Sequence, residues 1–325
     1  MRGIDMGDNT ILSVSGLRKY FQIKEGVVKA VDGVSFSVKY GETLALVGES
    51  GSGKTTTGHV IMGFYTPDSG ELLYKGSYNL AVPMKKRSLE LKRDVQIVFQ
   101  DPGTSLNPKH MVKDIIGLPL RIHRLANSST IYNRVAELLE FVGLGEEFMF
   151  KYPQELGGGE KQLVAIARAL APNPSFIILD ESTSALDVSS QAKVLNTLHK
   201  IQKEHNLSYL LITHDLGVVR NIAHRVMIMY LGKIYEEAPT DEFFGKPLHP
   251  YTQMLLSSIP ALTKEDEEVK PKGVESVGEI PSALSPPKGC RFHTRCPFAK
   301  PICSEREPPD IVTDSGHVVR CWLYE

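Results

Sequence analysis

No run of about 18 apolar residues occurs in this 325-residue chain, so the sequence offers no helix able to cross a membrane. The opening stretch, MRGIDMGDNTILSV, has no continuous apolar core of the kind a secretory leader needs, and a cytosolic chain is expected. Neither sign of charge is in excess. Against 38 Asp and Glu stand 37 Lys and Arg, for a formal net charge of -1, and the basic surplus of a nucleic-acid binder is missing. No nucleic-acid partner is expected. No cysteine precedes residue 290. The four present, Cys290, Cys296, Cys303 and Cys321, have the spacing C-x5-C-x6-C-x17-C. A disulfide framework belongs to an oxidising compartment; in a cytosolic chain such a local set reads as metal-binding. The short C-x2-4-C knuckle typical of zinc is absent. Cys296 is followed by Pro297, as in some iron–sulfur runs, while His293 and His317 keep zinc open. Chemistry alone leaves zinc and an iron–sulfur cluster side by side. No internal repeat is visible.

What remains is an ordinary globular composition, 42% apolar and 23% charged, in a chain long enough for two domains. Residues 10–48 read as strands. VKAVDGVSFSV is rich in β-branched residues, and ETLALVG is a short apolar run closed by glycine. A helix is expected from about Gly53 to Gly63. TPDSGELLYKG reads as turn, strand and turn, and DVQIVFQ as a strand. Residues 105–170 read as helical, with breaks at Pro108, Pro119 and Pro153. SFIILD, SYLLIT and RVMIMY are apolar at nearly every position, the pattern of central parallel strands covered on both faces. Helical stretches alternate with them, which is an α/β layered fold. Composition shifts near residue 261: TKEDEEVKPKG is charged and without periodicity, a solvated linker, and prolines are dense from 271 to 309. The expected organisation is a nucleotide-binding domain over 1–260 and a small irregular extension over 261–325 that needs a staple.

The chemistry is carried by GESGSGKT, Gly48 to Thr55, which follows an apolar strand and precedes a helix. Its glycines let backbone amides close around phosphate oxygens, and the helix N-terminus adds partial positive charge. Lys54 is the residue to reach the β- and γ-phosphates and Thr55 the one to hold Mg2+. Asp180 ends an apolar strand at the carboxyl edge of the sheet, where ligands bind in such folds, and is assigned to Mg2+. Glu181, next in line, is placed to act as general base toward water. Gln100, at the end of VQIVFQ, and His214, in LLITHD, carry weight only through their order among these motifs.

That order, Gly48–Thr55, Gln100, LGGGE, IILDE, SALD, His214, resembles the ATP-binding subunit of an ABC transporter. VFQDPGTSLNP, ESTSALDVSSQA, HPYTQMLLSSIP and GCRFHTRCPFA are similar to phrases of the oligopeptide/dipeptide importer group. The resemblance spans essentially the whole chain. It implies a P-loop NTPase fold: a RecA-like core with an antiparallel β subdomain, a helical subdomain over about 105–170, and the C-terminal extension. It implies ATP and Mg2+ as ligands, with Phe21, or alternatively Tyr20, stacked on adenine. Ser50, Gly51, Ser52, Gly53 and Thr56 then join Gly48, Lys54 and Thr55 around the phosphates. Gln100 joins the Mg2+ site and couples it to transmembrane subunits, and His214 meets the γ-phosphate. Gly157, Gly158, Gly159 and Asp187 face the ATP of an opposing subunit. The cysteine set is assigned to a [4Fe-4S] cluster, with Zn2+ the alternative. The implied partners are two transmembrane permease subunits, a second ABC ATPase subunit in a heterodimer and, indirectly, an extracellular solute-binding protein. The location is the cytoplasmic face of the membrane. A soluble ABC ATPase of translation or DNA repair would carry two cassettes or long coiled-coil insertions, which are absent.

The chain departs from the family pattern at its signature. Gly157 stands where the family has serine and Glu160 where it often has glutamine. The lost hydroxyl is worth about 1.5–3 kcal/mol as a hydrogen bond to a charged group. Because the signature serves the partner's ATP, we expect one full site and one slow site in a heterodimer. Ser182 replaces a proline common in this group, and no role is assigned to it.

Overall fold

A computed structural model describes residues 9–258, 274 and 278–325. The expected linker over 263–273 and the domain boundary at 260/261 lie outside the described residues.

Two 14-residue strands, β1 (Thr10–Ile23) and β2 (Gly26–Lys39), open the chain as an antiparallel pair. With β4 (Ser69–Tyr74) and β5 (Tyr78–Asn79) they form a four-stranded sheet, in the order β2-β1-β4-β5. The second sheet holds the core. Its parallel part comprises β3 (Thr43–Val47), β6 (Val95–Val98), β7 (Phe176–Asp180), β8 (Ser208–Thr213) and β9 (Arg225–Tyr230). Every residue of β3, β7 and β8 is buried. Successive side chains of a strand face opposite ways. Leu44 and Leu46 thus enter one apolar cluster with Ile178 and Ile212, while Ala45 and Val47 enter another with Ile177 and Leu211. A strand with a core on each face cannot alternate apolar with polar, which is why these segments are unbroken apolar runs.

Helix α1 (Lys54–Met62) leaves β3 through the glycine-rich loop. Short α2 (Leu89–Asp94) and α3 (Pro102–Ser105) flank β6. The expected helical region holds α4 (Val112–Ile122), α5 (Ile131–Phe141) and α6 (Gly158–Leu170). Pro153 opens a 3-10 turn, and Pro108 lies between α3 and α4. Pro119 does not break the chain as expected: it sits inside α4. A proline there removes one bond, to the Ile115 carbonyl, and the buried face of Val112, Ile115, Ile116 and Leu120 holds the helix together across that gap. The helix ends three residues later.

Helices α7 (Val188–His205) and α8 (Leu216–Ile222) precede β8 and β9. The chain then turns back as β10 (Lys233–Pro239), antiparallel to β9, and enters α9 (Thr240–Gly245) and α10 (Pro250–Ser257). The C-terminal region carries α11 (Pro301–Glu305) and two short strands, β11 (Asp310–Val312) and β12 (Val318–Arg320). It differs from expectation in one respect. Its strands join the main sheet, in the order β11-β12-β10-β9-β3-β8-β7-β6, so the edge of β10 is covered and not left as a template for foreign strands. Buried polar groups lock this seam. Glu236 on β10, 1% exposed, accepts from the backbone N–H of Leu248 and His249 and pairs with His317 at 2.7 Å. Burial holds the imidazole of His249 down to about pKa 3, and as a neutral ring it accepts from Tyr251 N–H at the start of α10.

Candidate functional site

The loop between β3 and α1 is shaped by close approach. Gly48 has φ 158° and Gly53 φ 109°, and a Cβ on either would stand 2.1 Å from a carbonyl oxygen, of Met229 and Ala30 respectively. Only glycine fits there. Lys54 is 4% exposed. Its ammonium donates to the Gly48 and Glu49 carbonyls at 2.8 and 3.0 Å. Burial pushes its pKa down, and the carboxylates of Glu181, Asp180 and Glu49 oppose that. Thr55 donates its hydroxyl to Asp180 Oδ1 at 3.1 Å. The Asp180 carboxyl is raised above its ordinary pKa, first by burial, with the hydrogen bond from Thr55 working against it.

Glu181 follows Asp180 at the end of β7 in a left-handed conformation, φ 46°. A non-glycine residue held there stores strain of the kind found at functional sites. Its N–H donates to the Ile212 carbonyl at the end of β8. Its two carboxylate oxygens are engaged from two sides: Gln100 Nε2 donates to one at 2.9 Å, and His214 Nδ1 lies 3.5 Å from the other. Residues far apart in sequence thus converge because β6, β7 and β8 are neighbours and all end at the same edge of the sheet.

These groups surround an open cleft of about 430 Å³ lined by Phe21, Ser50, Gly51, Gly53 and Lys54 and, across it, Gln100 and Glu181. Thr55 and Thr56 also line it. Phe21 is the aromatic residue facing it. Tyr20 is turned to the other face of β1, where its hydroxyl donates to Asp32 Oδ1 at 2.6 Å, so the alternative assignment of Tyr20 has no geometric support. Ser52 is 3% exposed, and its Oγ finds no partner among the described residues. An orphaned hydroxyl, an ammonium and a ring of loop amides fit a polyphosphate; the Thr55–Asp180 pair beside them offers hard oxygen donors suited to Mg2+.

Sequence reasoning missed His59. Its Nε2 lies 3.8 Å from the second oxygen of Asp180, and burial lowers its pKa. The signal was present: Thr55 and His59 are four apart on one helix and share a face.

Gly157, Gly158, Gly159 and Asp187 stand away from this cleft. Gly157 caps α6, and its N–H donates to Glu160 Oε2 at 2.8 Å. Asp187 caps α7, accepting from Ser190 N–H at 3.0 Å; the Ser190 hydroxyl first, and then this backbone bond, lower its pKa. Gly157, Gly158 and Asp187 are exposed.

The four cysteines are drawn into one neighbourhood. Burial first, then the other thiols, pushes Cys290 up to about pKa 12 and Cys321 to about 11. Cys290 N–H donates to the Cys303 carbonyl at 2.8 Å. Among the described residues, however, no group of three or more His, Cys, Asp or Glu side chains forms a ready metal site. The expectation of a [4Fe-4S] cluster, or of zinc, at Cys290, Cys296, Cys303 and Cys321 is therefore not supported by the geometry.

The family model for the ABC transporter domain matches residues 31–184, and that for the oligopeptide/dipeptide transporter C-terminal region matches 235–303. The oligopeptide transport ATP-binding protein AppF of Bacillus subtilis is 48% identical over 97% of this chain and 98% of its own length. The chain belongs to the ABC transporter family. The dipeptide transport ATP-binding protein DppF of Haemophilus influenzae is 41% identical, over 98% of both chains. Among solved structures, the post-hydrolysis dimer of the ATP-binding cassette MJ0796, bound to ADP and Pi, matches with a TM-score of 0.62 and 28% identity, over 70% of this chain and 98% of that one. The fold is the P-loop cassette, and the protein is an ABC-type ATPase. Among the described residues no helix is long and apolar enough to cross a membrane.

Proposed function

We propose that this ABC ATPase powers the import of oligopeptides or dipeptides, working at the cytoplasmic face of the membrane on two transmembrane permease subunits. The observation that carries this reading is the 48% identity to AppF over nearly the whole of both chains, extension included. Exposed apolar side chains on the helical subdomain, Leu118, Ile122 and Phe150, support a docking surface for the permease. A solute-binding protein outside the cell would deliver the peptide. The test is uptake: vesicles holding this chain and its permease partners should accumulate labelled peptides only with ATP inside or outside on the cassette face. Uptake of oligosaccharides and not of peptides would overturn the choice of solute.

In this reading Phe21 stacks on adenine, Lys54 and the loop amides hold the phosphates, and Ser52 completes the cradle. Thr55 and Asp180, with Gln100, would hold Mg2+, which supplies charge neutralisation at the phosphates. Glu181 takes the proton of the attacking water, oriented by Gln100 on one oxygen and His214 beside the other. Gly157–Gly159 and Asp187 serve the ATP of a second ATPase subunit. With no hydroxyl at Gly157 and with its N–H already committed to Glu160, that second site is the slower of the two.

A finer proposal concerns the extension. Four cysteines within residues 290–321, and none elsewhere in the chain, match in number and type the thiolate set of a [4Fe-4S] cluster, although among the described residues their side chains do not form a ready metal site. It would act as a staple for a loop-rich segment. Protein purified without oxygen should then be brown and contain iron; colourless protein with stoichiometric zinc favours the alternative metal.

A further inference from the structure

Glu49 is an acidic residue inside a loop that must receive a polyanion. Like charges a few ångströms apart repel appreciably at the effective dielectric of a protein surface, so an unneutralised carboxylate there opposes binding. All three polar groups of Glu49 are tied down. Its carbonyl accepts from Lys54 and from Ser52 N–H, at 3.0 and 3.2 Å. Its N–H donates to the Tyr251 hydroxyl of α10 at 2.9 Å. Its carboxylate is gripped by both terminal nitrogens of Arg295, at 2.7 and 3.1 Å. Arg295 lies 246 residues away, between Cys290 and Cys321, with its side chain 6% exposed. It sits beside the rings of Tyr230 and Phe292, 5.7 Å from each. The aromatic packing fixes the guanidinium plane, and the fork fixes the direction of the carboxylate.

A second tie runs to the strand pair that carries Phe21. Arg291 pairs with Asp32 on β2 and donates to the Leu231 carbonyl. Gly232, next along, donates to the Ser52 carbonyl at 2.8 Å and accepts from Asp32 N–H at 2.8 Å. The extension therefore reaches both the phosphate loop and the strand pair that carries Phe21.

We infer that Arg295 is a positioning residue for nucleotide binding, through which the cysteine-bearing extension neutralises Glu49 and holds the phosphate loop in its binding shape. The inference rests on the reading of Gly48–Thr55 as the nucleotide site. Arg295 touches neither nucleotide nor reacting atoms and acts through Glu49. Loss of the guanidinium leaves the carboxylate half-buried and charged, whereas loss of both charges leaves nothing to neutralise. That difference separates a charge role from general support of the fold.

The experiment measures ATP binding to the full chain by calorimetry, with thermal melting as a check on folding. Arg295→Met should weaken ATP about tenfold, the scale of one charge-assisted bond. Arg295→Lys should fall between Arg295→Met and wild type, since it keeps the charge and loses the fork. Glu49→Gln combined with Arg295→Met should recover most of the affinity. In the assembled transporter the KM for ATP should rise in Arg295→Met while kcat at saturating ATP holds. Wild-type affinity in folded Arg295→Met overturns the inference. So does a double variant that binds as poorly as Arg295→Met, since support of the fold would then be the whole effect. If Arg295→Met does not fold, the double variant and Arg295→Lys decide: both must fold and bind within a few-fold of wild type, or the inference fails. Lys54→Ala is the control on the underlying reading. If it binds ATP like wild type, the assignment of the loop itself is wrong; if it loses binding while the Arg295 variants do not, only the role of Arg295 is wrong.

Discussion

Glu181→Gln is expected to leave ATP binding intact and to lower turnover of the assembled transporter by about 100-fold or more, the usual contribution of a positioned general base. The substitution suits the geometry. Gln100 donates to one carboxylate oxygen at 2.9 Å, and a glutamine carbonyl oxygen can accept the same bond. The new amide then faces His214 Nδ1, 3.5 Å from the other oxygen, and donates to it when the ring takes the tautomer with Nδ1 unprotonated. The left-handed backbone at φ 46° is set by the turn after β7 and by the bond to Ile212, and it does not depend on the charge. Shape and hydrogen bonds survive, and the loss falls on basicity alone. ATPase measurement on the complete transporter, with ATP affinity measured in parallel, separates the two. Turnover near wild type with this variant in every copy of the chain would sink the assignment of Glu181 as base.

The residues of the candidate site were legible because their signals are local. A glycine-rich turn between an apolar strand and a helix announces GESGSGKT, and β3, β7 and β8 are short runs buried at every position. Asp180 and Glu181 follow directly from the end of β7. Strand alternation decides between Phe21 and Tyr20, but only once the face of β1 that meets the cleft is known. What could not be read is what tertiary packing creates. The pairing of β12 with β10 covers an edge that composition described only as irregular and proline-rich. Pro119 stays inside α4 because buried neighbours outweigh one missing bond. The grip of Arg295 on Glu49 joins positions 246 residues apart that no spacing rule connects. The cysteines were readable as a group, while whether they close around a metal depends on distances that sequence does not carry.

If the signature of this chain completes the ATP site of a second ATPase subunit, as proposed, Gly157→Ser should raise turnover there, by about tenfold if one charge-assisted hydrogen bond is recovered. The position can take the side chain. Gly157 is extended, φ -67°, at the cap of α6, and an added Cβ would meet only Glu160 Oε2, at an ordinary 3.6 Å. In the present chain the helix terminus is turned on itself: Glu160 Oε2 accepts the Gly157 N–H at 2.8 Å and puts a carboxylate where a phosphate would otherwise find a donor. That contact suits the helix dipole and stabilises the free subunit, and in the proposed two-subunit arrangement it would compete with the anion of the opposing site. A serine hydroxyl adds a donor that Glu160 does not already hold. Gly157→Ser together with Glu160→Gln should therefore exceed Gly157→Ser alone, since the competing charge is removed as well. The measurement is the ATPase rate of the assembled transporter with Glu181→Gln in this chain, so that only the partner's site reports. No change on adding the serine would mean that backbone donors suffice there and that the two sites are equivalent. If the chain works with a second copy of itself, both sites carry the glycine, and the rise should appear in an otherwise wild-type background.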